Sequence, residues 1–155
     1  MESERPTGTI LVVDDEENVR GVLARWSAEM GYAVQAAPDA DTALQLMYTH
    51  PIDVALCDMK MPGHDGFWLL DQVRRFFPST AVVLVTGLVE IDPMVTLRPG
   101  VVGYLVKPFT REKIREMILQ GMAERKRLRA QQPQGPQGPQ ALPAGTLEGI
   151  VLSRD

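Results

Sequence analysis

The chain has 155 residues and a formal net charge of −4, with 45% hydrophobic and 23% charged residues. These values are ordinary for one globular domain with a tail, and the acidic balance argues against a nucleic-acid-binding core. The single cysteine, Cys57, cannot form an internal disulfide, which favours a reducing, cytoplasmic environment. We expect no membrane contact, because there is no signal-peptide pattern and no apolar run of the ~18 residues that span a bilayer.

From residue 9 onward, strand-like and helix-like segments alternate five times. The predicted strands are short apolar runs at residues 9–13, 32–36, 53–57, 81–85 and 103–106. The predicted helices cover residues 16–30, 40–49, 67–76, about two turns after Asp92-Pro93, and 110–130. Parallel strands need crossover connections long enough for a helix, and this alternation supplies them. We therefore predict an α/β fold with a doubly wound, five-stranded parallel sheet and helices on both faces.

The composition changes near residue 130. Residues 131–140 read QQPQGPQGPQ, a proline-, glycine- and glutamine-rich stretch that is typical of an extended linker. We expect an N-terminal extension at residues 1–8, a folded domain at 9–130, a linker at 131–144, and a tail or the start of a missing effector domain at 145–155. The linker favours a chain that belongs to a longer protein.

Four of the predicted strands end on residues with usable chemistry. In chain order these endings are Asp14-Asp15, Asp58, Thr86 and Lys107-Pro108. The carboxyl ends of parallel strands lie at one edge of a sheet, where open α/β folds bind their ligands. Carboxylates this close require a proton or a cation among them, and hard oxygen donors suit Mg²⁺. With an ammonium and a hydroxyl beside one carboxylate, the pocket has the groups needed to transfer a phosphoryl group to an aspartate.

These strand ends belong to longer motifs that resemble a known family. The segments VVDDE at 12–16, DMKMPGHDG at 58–66, TG at 86–87 and YLVKPF at 104–109 resemble the receiver domain of two-component response regulators. The resemblance covers about residues 8–128 and implies the flavodoxin-like (βα)5 receiver fold. It also implies that Asp58 accepts a phosphoryl group from a histidine kinase or a phosphotransfer protein, and that a protein-interaction surface switches in response.

The resemblance assigns a metal site to the same pocket. It implies that Asp14, Asp15 and Asp58 hold Mg²⁺ together with the backbone carbonyl of Lys60. The chemistry of the donors agrees with this, since Mg²⁺ takes a few carboxylates and keeps the rest of its shell for water and phosphate.

The resemblance also implies roles for the last two strand ends. Thr86 and Lys107 would contact the phosphoryl oxygens, and Tyr104 would be the aromatic switch that turns inward when Thr86 moves. The peptide bond before Pro108 would be cis, holding the lysine over the pocket.

The segment between Gly87 and Gly103 is unusually apolar. Its apolar residues are Val89, Ile91, Met94, Val95, Leu97, Val101 and Val102. About half of them should pack in the core, and the remainder should form a partner or dimer face. A homodimer through the fourth helix, fifth strand and fifth helix is one expectation. The output partner or effector domain is not readable, and we expect no direct nucleic-acid contact by the domain itself.

Two other classes of function use related chemistry. An aspartyl-phosphate phosphohydrolase of the haloacid-dehalogenase type needs a second aspartate two residues after the nucleophile of its first strand, but residue 16 is Glu. A receiver-like interaction domain that is never phosphorylated would not need Asp58, Thr86 and Lys107 intact. Nucleotide binding is disfavoured because no glycine-rich loop follows the first strand. We expect a signalling domain whose only reactions are its own phosphorylation and dephosphorylation.

The lifetime of the phosphoryl group should be long. Lys60 and Leu88 lie two residues after the acceptor and two after the switch threonine, where the family controls the access of water. Neither side chain offers a carboxylate or amide that orients water. We predict that labelled wild type loses its phosphoryl group more slowly than a Lys60→Asn, Leu88→Glu double variant, as followed by the decay of the phosphorylated species. Equal rates would contradict this.

Overall fold

The computed structural model describes residues 6–87 and 92–132. The strands are β1 (Thr9–Val13), β2 (Ala33–Ala37), β3 (Val54–Asp58), β4 (Ala81–Thr86) and β5 (Val101–Val106). The helices are α1 (Glu17–Glu29), α2 (Ala40–Thr49), α3 (Gly66–Phe76), α4 (Pro93–Thr96) and α5 (Arg111–Ala130). Within these residues, no helix has the length and apolar character needed to cross a bilayer.

The five strands form one parallel sheet in the order β2-β1-β3-β4-β5, which confirms the predicted fold class. The chain starts in β1, moves outward to β2, and then crosses to the other side of β1 to form β3. β1 and β3 are therefore neighbours, with Val13 paired to Cys57. This reversal of strand order is the place where doubly wound sheets open a crevice at their carboxyl edge.

The core consists of two apolar layers, because side chains alternate between the two faces of the sheet. One layer joins Leu11 and Val13 of β1 to α2 and α3, and the other joins Ile10 and Val12 to α1 and α5. The central strands are apolar on both faces, as a sheet covered on both sides requires. The polar residues that follow these strands are thus held on a rigid frame.

Side chains cap four of the five helices. The N-cap oxygens that accept a backbone N–H of the first turn belong to Asp39, Asp65, Asp92 and Thr110. Such caps satisfy backbone donors that a helix leaves unpaired. At α1 the N-cap residue is Glu16, and its side chain makes no capping hydrogen bond.

The amino edge of the sheet is fastened through Asp53, which precedes β3. Its carboxylate accepts the backbone N–H of Thr9 at 2.8 Å and forms an ion pair with Arg125 of α5. Its backbone N–H donates to the carbonyl of Thr9, and its carbonyl accepts from Ala81. This residue ties three strands and one helix together at the edge opposite the polar strand ends.

The structure differs from the sequence prediction mainly around α4. This helix is a single turn instead of two, and β5 begins at Val101, two residues earlier than predicted. The reason is Gly100, whose φ of +82° turns the chain and whose carbonyl accepts from Val82 to extend the sheet. Leu88, Val89 and Ile91, and the predicted linker and tail from residue 133, lie outside the described residues. The proposed domain division stays a prediction.

Two helical glycines give opposite expectations for stability. A Cβ at Gly121 of α5 would lie 2.8 Å from Cγ1 of the buried Val54, whereas a Cβ at Gly21 of α1 meets nothing within 4 Å. Gly21→Ala should raise the free energy of unfolding by about 0.5–1 kcal/mol through helix propensity. Gly121→Ala should lower it by about 1–3 kcal/mol, because the helix must move off β3. Urea unfolding of both variants checks this, and equal signs would contradict it.

Candidate functional site

The neighbouring ends of β1 and β3 bring three carboxylates together. One oxygen from each of Asp14, Asp15 and Asp58 lies within 4.8 Å of the others. Asp14 is fully buried and Asp58 is 3% exposed, whereas Asp15 faces solvent. The pocket is therefore open on the side of Asp15 and closed beneath the other two acids.

Asp58 is the last residue of β3, and its position depends on a close contact with α3. The following residue, Met59, donates its N–H to the carbonyl of Val85 at 3.0 Å and keeps the chain beside β4. A Cβ at Gly66 would lie 2.5 Å from the carbonyl oxygen of Asp58. Only glycine lets α3 begin this close to the end of β3. The carboxylate itself accepts the N–H of Lys60 at 3.3 Å.

Asp14 is held by its own loop. Its Oδ1 accepts the backbone N–H of Glu16 at 2.9 Å, and its carbonyl accepts from Arg20 at 2.8 Å. Its Oδ2 is buried, accepts no well-aligned hydrogen bond among the described residues, and lies 3.2 Å from the Lys107 ammonium. One buried carboxylate oxygen is thus available to a cation.

Lys107 places a cation over the carboxylates. Its Nζ lies 2.8 Å from Glu16 Oε1, 3.2 Å from Asp14 Oδ2 and 3.7 Å from Asp58 Oδ2. Its backbone N–H donates to the carbonyl of Thr86 at 2.8 Å. The peptide bond between Lys107 and Pro108 is cis, in agreement with the expectation from the sequence.

The electrostatics of the pocket oppose the ionised form of Asp58. Burial, and then the charge of Asp14, raise the pKa of Asp58 to about 6, although Lys107 and the N–H of Lys60 act in the opposite direction. Burial lowers the pKa of Lys107, but its contact with Glu16 and the nearby carboxylates outweigh this and leave the pKa above its ordinary value. The ammonium is therefore charged at neutral pH, and Asp58 is largely ionised but destabilised.

The donors of this pocket fit Mg²⁺. They are hard carboxylate oxygens on two adjacent strand ends; Asp15 is open to solvent, and the buried Oδ2 of Asp14 has the Lys107 ion pair but no well-aligned hydrogen bond from residues 6–87 or 92–132. Mg²⁺ binds through a few carboxylates and retains several waters, so a half-open acidic site suits it better than a closed cage.

The structure brings some of the predicted site residues together and separates others. Asp14, Asp15, Asp58 and Lys107 meet in the pocket. Thr86 is buried at the end of β4 and pairs with Val106, the residue before Lys107. Tyr104 lies on β5 with 41% of its surface exposed, away from the carboxylates. Lys60 is exposed beside Asp58, and Leu88 lies outside the described residues.

Two side-chain contacts, one in the pocket and one in the loop after β3, are not predicted from the sequence. Glu16 was read as part of a motif, but its carboxylate reaches Lys107 across 91 positions of sequence. At His64, for which the sequence favours a solvated or capping side chain and not a metal ligand, Nδ1 lies 2.9 Å from Asp41 and the ring stacks on Trp68 at a centroid distance of 3.7 Å. Glu16 offered no signal, since the helix predicted from the sequence began at residue 16 and the N-cap position of Glu16 is known only from the structure. His64 offered none.

Sequence comparisons agree with the geometry. The family profile of the response regulator receiver domain matches residues 10–119. The regulatory protein AtoC of Escherichia coli is 38% identical over 106 residues, covering 68% of this chain and 23% of AtoC. The probable transcriptional regulator ycf27 of Cyanidium caldarium is 31% identical over 110 residues, covering 70% of this chain and 44% of that protein. The chain thus spans less than half of either relative.

Solved structures show the same similarity. A CheY-like receiver domain protein from Methanospirillum hungatei has 26% identity and a TM-score of 0.71, covering 77% of this chain and 97% of that one. The response regulator TrrA of Thermotoga maritima, solved in complex with Mg²⁺-BeF, has 26% identity and a TM-score of 0.67, covering 74% of this chain and 99% of TrrA.

The raised pKa of Asp58 predicts a pH-dependent stability. Between about pH 4 and pH 6 the folded chain keeps a proton that the unfolded chain releases, so raising the pH through this window destabilises the fold. Asp58→Asn cannot ionise. In metal-free buffer the variant should gain stability over wild type as the pH rises from about 4 to 7, by about 1–3 kcal/mol.

Urea unfolding at several pH values measures this difference, in which the titration of groups that do not interact with Asp58 cancels. Added Mg²⁺ serves as the control, because a bound cation favours the ionised carboxylate and should shrink the difference. A difference that does not change with pH would contradict the prediction.

Proposed function

Because this chain belongs to the receiver-domain family of two-component response regulators, we propose that Asp58 accepts a phosphoryl group from a histidine kinase. Receiver domains of this family are signalling domains that partner with histidine kinases. The observation that carries the assignment is the placement of Asp58 at the carboxyl edge, between two further acids and the Lys107 ammonium. Since the match covers only part of AtoC and ycf27, the proposal concerns the receiver domain and not the output of a whole regulator.

The acceptor chemistry follows from the pocket. A carboxylate oxygen of Asp58 attacks the phosphorus of the donor, and the phosphorus–nitrogen bond of the phosphohistidine breaks as the new phosphorus–oxygen bond forms. The pKa of Asp58, raised to about 6, still lies below neutral pH, so the ionised nucleophile is present at pH 7.

The remaining groups of the site stabilise charge. Asp14, Asp15, Asp58 and the carbonyl of Lys60 would hold Mg²⁺, which when bound neutralises phosphoryl oxygens as a Lewis acid. Lys107 donates to a phosphoryl oxygen, and the hydroxyl of Thr86 donates to another. Thr86 and Lys107 end adjacent strands, so a shift of either side chain is passed to the β4–β5 edge, where Tyr104 lies exposed.

Labelling with acetyl phosphate tests the assignment. In the presence of Mg²⁺ the wild type should take up one phosphoryl group, seen by intact-mass spectrometry. Asp58→Asn should take up none, because an amide is not a nucleophile for phosphorus. Removal of Mg²⁺ with a chelator should abolish labelling of the wild type.

A matched control is Asp65→Asn, an aspartate in the same loop that caps α3 through Trp68 N–H. Asparagine caps as well as aspartate does, so this variant should label normally. A label retained by Asp58→Asn would place the acceptor elsewhere. Rapid consumption of acetyl phosphate without a label would favour a phosphohydrolase, and absence of both would favour an interaction domain that is not phosphorylated.

We further propose that the switched surface is formed by α4, β5 and α5 and that a second copy of the chain docks on it. This face has an open groove of about 810 Å³ lined by residues of α4, β5 and α5, among them Val102, Tyr104 and Met117. Met94 of α4 and Leu97, the C-cap residue of this helix, are 66% and 72% exposed, which is unusual for large apolar side chains.

Sedimentation velocity tests this dimer. The wild type with Mg²⁺ and beryllofluoride should form dimers at concentrations where the untreated chain does not. Leu97→Glu should remain monomeric under both conditions, because it places a charge in an apolar interface. Phe67→Glu, at an exposed apolar position on α3, is the matched control and should dimerise. Dimerisation of Leu97→Glu would exclude this face.

A further inference from the structure

Glu16 has the backbone position of a helix cap but does not use its side chain as one. It precedes α1, and its carboxylate makes no hydrogen bond to the first turn of the helix. The carboxylate instead contacts Lys107 Nζ at 2.8 Å, the shortest of the three distances from this ammonium to a carboxylate. The contact joins the loop after β1 to the loop after β5.

The geometry makes Glu16 a competitor of Asp58 for the same ammonium. Lys107 Nζ lies 3.7 Å from Asp58 Oδ2, which is too far for a hydrogen bond. A charge-assisted hydrogen bond to a phosphoryl oxygen is about 2.7–2.9 Å long, so phosphorylation of Asp58 would offer this ammonium a close anionic partner that it lacks now, and Glu16 and the phosphoryl group would then share one positive charge.

The exposure of the partners indicates which contact breaks. Asp14 is buried beneath Lys107, whereas the side chain of Glu16 is 59% exposed. Water can solvate Glu16 after the ammonium leaves, but it cannot solvate Asp14 to the same extent. The contact with Glu16 is therefore the one that costs less to weaken, and the contact with Asp14 the one to be kept.

We propose that Glu16 is a positioning residue that holds Lys107 at the rim of the pocket in the unphosphorylated chain and competes for it with the phosphoryl group on Asp58. The proposal rests on the proposed function, since it concerns the same acceptor. Glu16 stabilises the unphosphorylated form relative to the phosphorylated form and thereby sets how readily the chain is switched.

The affinity for beryllofluoride, a mimic of the phosphoryl group, tests this role. In saturating Mg²⁺, calorimetric titration should give a dissociation constant for Glu16→Gln about two- to fivefold lower than for wild type, the range expected for loss of a largely exposed ion pair. The difference should shrink as salt is added, because salt screens the Glu16–Lys107 pair in the wild type.

Glu17→Gln is the matched control. Glu17 is the next residue, is exposed in the first turn of α1, and loses the same charge on substitution. The dissociation constant of Glu17→Gln for beryllofluoride should stay close to that of wild type. This distinguishes loss of the direct contact with Lys107 from the loss of one negative charge near the pocket. An unchanged or weaker affinity of Glu16→Gln, with normal binding by wild type, would overturn the inference alone. Failure of wild type to bind beryllofluoride would overturn the proposed function and the inference together.

Discussion

Repulsion between carboxylates at one edge of the sheet is the constraint on which this structure depends. Parallel pairing of β1 with β3 puts Asp14 and Asp58 side by side, and burial removes the water that would screen them. Few arrangements tolerate this. The fold reduces the repulsion with the Lys107 ammonium on one side of the carboxylates and an opening to solvent at Asp15 on the other. A pocket of this kind is suited to a cation and a phosphoryl group.

The position of the Lys107 ammonium shows that β5 contributes to the pocket as directly as β1 does. Lys107 follows β5, at the edge of the sheet, and is held there by the carbonyl of Thr86. A change of charge at Asp58 therefore acts on β4 and β5 together. The exposed apolar surface of α4 and β5 lies beside these strands, so Lys107 and this surface share the last strand of the sheet.

Much of this could be predicted from the sequence, for physical reasons. Uniformly apolar strands separated by helix-length segments permit few topologies, and parallel strands send their carboxyl ends to one edge. The meeting of Asp14, Asp58 and Lys107 follows from that rule and the order of the strands. The short α4 was harder to predict, because its end depends on how Gly100 docks on β4.

The Glu16–Lys107 contact could not be predicted at all. Helical and strand patterns fix where a backbone runs, but a contact across 91 residues depends on side-chain reach and on which acid is buried. The different burial of the adjacent Asp14 and Asp15 could not be predicted from local sequence patterns either. Local pattern shows that both are acids after a strand, and only the packed structure shows which one faces the interior.

An aspartate lies at each end of β3, and the two differ in how well their carboxylates are hydrogen-bonded. At its amino end, Asp53 is saturated by Thr9 and Arg125, whereas at its carboxyl end Asp58 accepts one long hydrogen bond from Lys60. The amino edge is therefore the more extensively bonded of the two. Amide hydrogens near Asp53 should exchange slowly, and local opening should concentrate at the opposite edge, where the crowded acids lie.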